Sequence, residues 1–205
     1  MDRMAHKPAW LVPHGKPWTR SNGRTPFENP WLAVREFDAT APTGRPATYG
    51  MIHFKHLAIA VLPLHEDGTV TLVGQNRFAF EDYSWELPEG GGKLDVDPLD
   101  SAKRELREET GLEAAQWRKV LEGQLSNSLT DELAFGFLAT GLTQTETEPD
   151  ETEDIALARV PFGEALEVAT AGYIKDVLTV AMLLRVHHMA SKGELESGLA
   201  ALVLG

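Results

Sequence analysis

Three acids in the stretch RELREETG (104–111) could do chemistry together. Glu105, Glu108 and Glu109 recur at spacings of three and four, so a helix would bring their carboxylates close along its surface. Such like-charge neighbours repel by about 0.2–0.5 kcal/mol per pair. The positions four residues on from Glu105 and Glu108, where a base could soften this, hold Glu109 and Leu112. The cluster follows a glycine-rich stretch, ELPEGGGKLDV (86–96), where the backbone could approach a ligand closely. A second acid-rich segment, 146–154, lies far along the chain with no evident neutralising partner. The chain has no cysteine. Crowded oxygen donors without thiolates suit a hard cation, Mg²⁺ or Mn²⁺, which keeps several waters and takes phosphate oxygens as its remaining ligands. The chemistry to expect is metal-assisted reaction at phosphorus.

The elements that must position these acids can be read from their punctuation. A helix should begin at Asp97, whose side chain can cap it, with Pro98 at the first position and Asp100 in the first turn. Leu99, Ala102 and Leu106 form its apolar stripe, and Gly111 ends it. Upstream, WLAVREFDA (31–39) and YGMIHFK (49–55) have strand composition, while residues 1–30 read as an irregular arm. HLAIAVLPL (56–64) is nearly all apolar, as a strand buried on both faces would be. The Asp-Gly turn in HEDG (65–68) predicts that it forms a hairpin with TVTLVGQNR (69–77). ELPEGGGKLDV reads as a loop, and Phe80 and Trp85 before it as core side chains. WRKVLEGQL (117–125), LAFGFLAT (133–140) and IALARV (155–160) are further strands. Two helices follow near 162–171 and 174–190, the second with a stripe through Val177, Val180, Ala181 and Leu184. The tail from 191 is ambiguous. The fold class expected is α/β (α+β), a sandwich of mixed sheet with helices on both faces plus an N-terminal strand arm. Its division would be an arm over 1–54, a main domain over 55–190 and a tail over 191–205.

Acids outnumber bases 31 to 19, for a formal charge of −12, which argues against nucleic acid or an anionic membrane as partner. It does not exclude an anionic small substrate, because a bound cation inverts the local charge. No stretch has the apolar length of a signal peptide or membrane span, so a soluble, cytoplasmic protein is expected. GGGK is not a P-loop, since Leu94 stands where Ser or Thr should follow Lys93. His187 and His188 are adjacent on a helix and point different ways, so they read as packing or surface residues.

From Gly90 to Leu112 the chain resembles the signature of the Nudix hydrolases. Gly90, Arg104, Glu105, Leu106, Glu108, Glu109, Gly111 and Leu112 fall in register with it. One position departs: Val96, between Asp95 and Asp97, stands where the family has its first Glu. GQNRF (74–78), ETEDI (151–155) and GYIKDVLTVAMLL (172–184) extend the resemblance toward the ADP-ribose pyrophosphatase branch, over residues 28–187. The resemblance implies Mg²⁺-dependent hydrolysis of ADP-ribose or a related nucleoside diphosphate sugar by a homodimer whose N-terminal strands reach the partner. It makes Glu105 and Glu109 the principal metal ligands, with Glu108 assisting and the backbone carbonyl of Glu89 as an extra ligand. Arg104 would brace the acids. Arg77 would grip substrate phosphate and Glu132 would contact substrate. Glu153, or failing it Glu151, would orient or deprotonate the attacking water. Activity is expected to survive Val96 because the main ligands are intact. Two alternatives share the fold: a nucleotide-sugar-binding regulatory module, and a hydrolase of NADH or nucleoside triphosphates.

Overall fold

The structure, a computed structural model, describes residues 8–145 and 154–205. The chain divides into two compact units, residues 1–53 and 54–205, which are taken separately. In the first, β1 (Thr19–Glu28), β2 (Leu32–Thr40) and β3 (Pro46–Phe54) form a three-stranded sheet in that order. β1 lies within a stretch whose composition reads as irregular. Every one of its residues is exposed and its pairing with β2 slips twice, between Ser21 and Arg24 and between Arg24 and Phe27. A fully exposed, slipping strand carries no period-two signal. Asn29 makes the corner into β2, its side-chain oxygen accepting from the Trp31 and Leu32 N–H groups at 2.9 and 2.8 Å.

The second unit is built on β4 (His56–Pro63), which runs parallel to β9 (Leu133–Gln144) and antiparallel to β7 (Glu89–Lys93). With β8 (Leu112–Gln124) these make a sheet in the order β7-β4-β9-β8. β4 is buried on both faces, and the alternation of its side chains builds two cores. Ile59 and Val61 pack with Ala102 and Leu106 of α1 (Pro98–Thr110). Ala60 and Leu62 pack with Leu178, Met182, Leu183 and Val186 of α3 (Val177–Ser191). Helices thus cover both faces of a mixed sheet, the sandwich expected from the order of elements.

The hairpin expected between β4 and β5 (Thr69–Arg77) does not form. The turn itself is there: Gly68 adopts a φ of 79°, and the His65 N–H donates to the Thr69 carbonyl at 2.9 Å. Beyond one bridge, Leu64 to Val70, the strands part. Both edges of β4 are taken by β7 and β9, so β5 joins a second sheet, β10-β5-β6, with β10 (Ala156–Pro161) and β6 (Asp82–Glu86). The apolar stripe assigned to the last long helix is also corrected. Val177 and Leu184 are exposed, and the buried side is Leu178, Met182, Leu183, Val186 and Met189. α2 (Phe162–Thr170) precedes α3, and residues 197–204 form α4 (Ser197–Leu204), whose Val203 is buried in the α3-side core. None of the helices described is long and apolar enough to cross a membrane.

Candidate active site

α1 forms as its sequence dictates. The Asp97 carboxylate accepts from the Leu99 N–H at 2.8 Å, Pro98 opens the helix, and Gly111 closes it in the left-handed region at φ 66°. The acids on this helix are not a solvated face. Glu105 and Glu109 are only 7% and 5% exposed, while Glu108 lies nearer the surface.

What buries them is β7. The glycine-rich stretch, read as a loop, is a strand paired with β4 from His56↔Lys93 to Ala60↔Glu89. It pairs as a strand because its glycines let α1 press against it. Gly90 pairs with Ile59 and so faces α1, where a Cβ would lie 2.5 Å from the Glu105 carboxylate. At Gly92, also facing α1, a Cβ would lie 2.9 Å from the Ile59 side chain and 3.1 Å from the Ser101 hydroxyl. Through this contact the Glu109 carboxylate accepts the Glu89 N–H at 2.9 Å. Arg104 fastens helix to strand, donating to the Gly91 carbonyl at 2.8 Å and to the Glu105 and Glu108 carboxylates.

The donors gathered here are all oxygens, which fits a hard divalent cation. Among the described residues no three acidic or histidine side chains already close into a metal cage. Mg²⁺ does not demand one, since it is usually held by one or two carboxylates plus waters and substrate phosphates.

Beside β7 a pocket of about 170 Å³ is lined by residues of both its faces: Ala58, Ile59, Arg77, Glu89, Gly90, Leu125, Asp176, Val177 and Leu178. Arg77 reaches it, but its Nε donates to both oxygens of Glu86 at 3.0 Å and its Nη2 to Glu86 and, at 3.1 Å, to Glu89. The hydrogen bonds that Arg77 donates to Glu86 raise its pKa despite burial, helped by the charges of Glu86, Glu89 and Glu109. For Glu86, burial pushes upward, but the hydrogen bonds from Arg77 and Ser84 and the Arg77 charge hold it below the usual range. Glu89 goes the other way: burial first, then the Asp176 and Glu86 charges, lift it well above the usual carboxylate range.

Glu132 stands off from this lining but its carbonyl accepts the N–H of pocket-lining Leu125 at 3.2 Å. Burial, then the charge of Asp131, raises its carboxyl. Glu151 and Glu153 lie outside the described residues. Sequence reasoning missed Glu86 and Asp176. Glu86 is tied to Arg77 by the β5–β6 pairing (Arg77↔Asp82, Val73↔Glu86), a register that residue types do not reveal. Phe80, read as core, is 82% exposed at the tip of that hairpin, whereas Trp85 does pack on the core.

A match to the NUDIX domain spans residues 54–178, which include β7, α1 and the pocket. The chain belongs to the Nudix family. It is 32% identical over 163 residues to an ADP-ribose pyrophosphatase of Mycobacterium tuberculosis, covering 76% of each chain. To an ADP-ribose pyrophosphatase of Bacillus subtilis it is 31% identical over 145 residues, covering 69% of this chain and 77% of that one. The solved structure of an ADP compounds hydrolase superposes with a TM-score of 0.79 at 19% identity, over 90% of this chain and 100% of that one, a likeness of fold. Family and relatives together make this Nudix chain a pyrophosphohydrolase.

Val96, the family's missing Glu, is 38% exposed, and its N–H donates to the Lys93 carbonyl at 3.2 Å. Arg104 is already held by Glu105, Glu108 and Gly91, so a further acid has little left to brace. Val96→Glu is therefore expected to change kcat by less than about tenfold, below the usual 10–100-fold effect of a second-sphere residue. Steady-state rates of the two proteins at saturating Mg²⁺ check this.

Proposed function

We propose that this Nudix enzyme hydrolyses the pyrophosphate bond of ADP-ribose or a related nucleoside diphosphate sugar with Mg²⁺, or Mn²⁺ in its place. The products would be a nucleoside monophosphate and a sugar phosphate. The observation that carries the reading is the burial of Glu105 and Glu109 against the backbone of β7, with Arg104 clamping the join. Two carboxylates sequestered in this way keep little hydration and gain most from a cation that brings its own waters.

Glu105 and Glu109, with Glu108 beside them and the Glu89 carbonyl as a backbone donor, would hold the cation. When bound, the ion neutralises diphosphate charge and lowers the pKa of a bound water. Arg104 keeps Glu105 and Glu108 oriented. Arg77 has Nε and Nη2 committed to Glu86 and Glu89, which leaves Nη1 to meet a phosphate oxygen. Glu132, beside the Leu125 wall, would contact the substrate. The family resemblance assigns the base to Glu153, with Glu151 as its alternate, taking the proton of the attacking water. The same resemblance supports a cytoplasmic homodimer in which residues 1–54 reach the partner.

The test is release of phosphomonoester from ADP-ribose, GDP-mannose, UDP-glucose and NADH, each with Mg²⁺ and with EDTA. Turnover of a nucleoside diphosphate sugar that stops in EDTA is the expected result. Equal turnover in EDTA, or hydrolysis of NADH alone, would overturn the proposal.

A further inference from the structure

Arg77 ends β5 at the hairpin turn, and the aromatics that follow it, Phe78 and Phe80, are exposed. An arginine so placed would ordinarily sample solvent, and ordering it on a ligand would cost rotamer freedom. In this chain it is ordered beforehand. Glu86, the last residue of β6, takes three hydrogen bonds from it: Nε donates to both carboxylate oxygens at 3.0 Å, and Nη2 to one of them. Glu89 takes one more from Nη2, at 3.1 Å. The register sets Arg77 opposite Asp82 and Glu86 opposite Val73, four positions deeper in the hairpin. Arg77 therefore lies back along its own hairpin and not off the tip.

Glu86 is 3% exposed, and a carboxylate so buried gives up its hydration for a single partner. An apolar side chain of similar volume often serves stability as well or better. What the acid supplies is direction. With Nε and Nη2 held, the guanidinium plane is fixed, and Nη1 is aimed from the wall of the pocket that Arg77 lines. The planar fork matters here, because a lysine has no second nitrogen to present while the first is held. A carboxylate and a guanidinium together carry no net charge, so attraction at a distance contributes little. The orientation of Nη1 carries the effect.

We propose that Glu86 is a positioning residue for diphosphate binding, setting Arg77 in advance so that Nη1 meets a phosphate oxygen. The inference rests on the nucleoside diphosphate sugar reading above, in which Arg77 meets substrate phosphate. It adds to that site a residue that itself touches no substrate.

The probe is ADP-ribose with a methylene bridge between its phosphates, which the reaction cannot split, titrated by calorimetry at saturating Mg²⁺. Glu86→Asp keeps the charge and draws it back from Nε by one methylene, so the aim is lost and the charge is not. It should weaken binding of the analogue about 10–100-fold, as loss of a hydrogen bond between charged groups does. The Mg²⁺ midpoint should stay within twofold of the parent, which a general loosening of β7 against α1 would not allow. In an Arg77→Gln background the same substitution should change affinity less than twofold, because Glu86 acts only through Arg77. A second measurement needs no variant of Glu86 and decides the matter should Glu86→Asp not fold. In ¹⁵N NMR of the unaltered protein without ligand, the Arg77 Nε–H should exchange with water at least about tenfold more slowly than in the unfolded chain, since its bond to Glu86 is already made. Parental affinity in Glu86→Asp, an equal loss in both backgrounds, a shifted Mg²⁺ midpoint, an unprotected Nε–H, or no binding of the analogue by the unaltered protein would overturn the inference. A protein that binds the analogue in the expected pattern yet hydrolyses no nucleoside diphosphate sugar would count against the proposed activity alone.

Discussion

Glu109→Gln is expected to lower cation-dependent hydrolysis by about 10²–10³-fold, the range seen when one preorganised electrostatic contact to a reacting centre is removed. The substitution is close to isosteric and retains an oxygen able to accept the Glu89 N–H, now bonded at 2.9 Å. The strand–helix contact should therefore survive. What disappears is the negative charge, in a place where water cannot replace it, since Glu109 is 5% exposed. The cation loses a ligand charge, and Arg77 loses one of the three carboxylates that raise its pKa. Two measurements check this together. kcat at saturating Mg²⁺ should fall while the Mg²⁺ midpoint rises, and the melting temperature should stay within a few degrees of the parent. A variant that turns over at the parental rate would remove Glu109 from the metal site and the mechanism with it.

The legible parts of this protein are those whose causes are local. Asp97, Pro98 and Gly111 each act within a few residues of themselves, and α1 begins and ends where they place it. The crowding of Glu105, Glu108 and Glu109 is a helical spacing, readable once the helix is. The failures are all matters of partner. HEDG makes its turn, yet which strands β4 and β5 pair with is decided by competition for edges across the whole unit. Three glycines suggested a loop because β-propensity treats them as breakers. In the fold they are strand residues, two of them thinned to admit α1. On α3 both helix faces are apolar, and composition cannot say which one meets the sheet: Leu178 and Met182 do, Val177 and Leu184 do not. Glu86 was invisible for the same reason, because its link to Arg77 runs across a hairpin rather than along the chain.

Gly90→Ala separates stability from activity and is expected to cost the second far more than the first. The added Cβ would stand 2.5 Å from the Glu105 carboxyl carbon, closer than real contacts allow. The obstacle is the far end of a flexible side chain, so it can yield by rotating away, and the melting temperature should drop by only a few degrees. Yet Glu105 cannot rotate and still stand beside Glu109, and it would pull on Arg104, which joins it to Glu108 and to Gly91. A 1 Å misplacement in a catalytic constellation costs on the order of 10²-fold, so a loss of at least about that size is expected in kcat/KM. Gly92→Ala provides the contrast. Its Cβ would meet Ile59, a buried core side chain with nowhere to go, 2.9 Å away, and Ser101 on α1. Overpacking of that kind costs about 1–3 kcal/mol, so this variant should lose stability first and activity only as α1 is pushed off β7. Melting curves and initial rates measured side by side distinguish the two. Should Gly90→Ala retain full activity, the Glu105 carboxylate would not be fixed by β7, and the closeness of helix and strand would be packing without catalytic purpose.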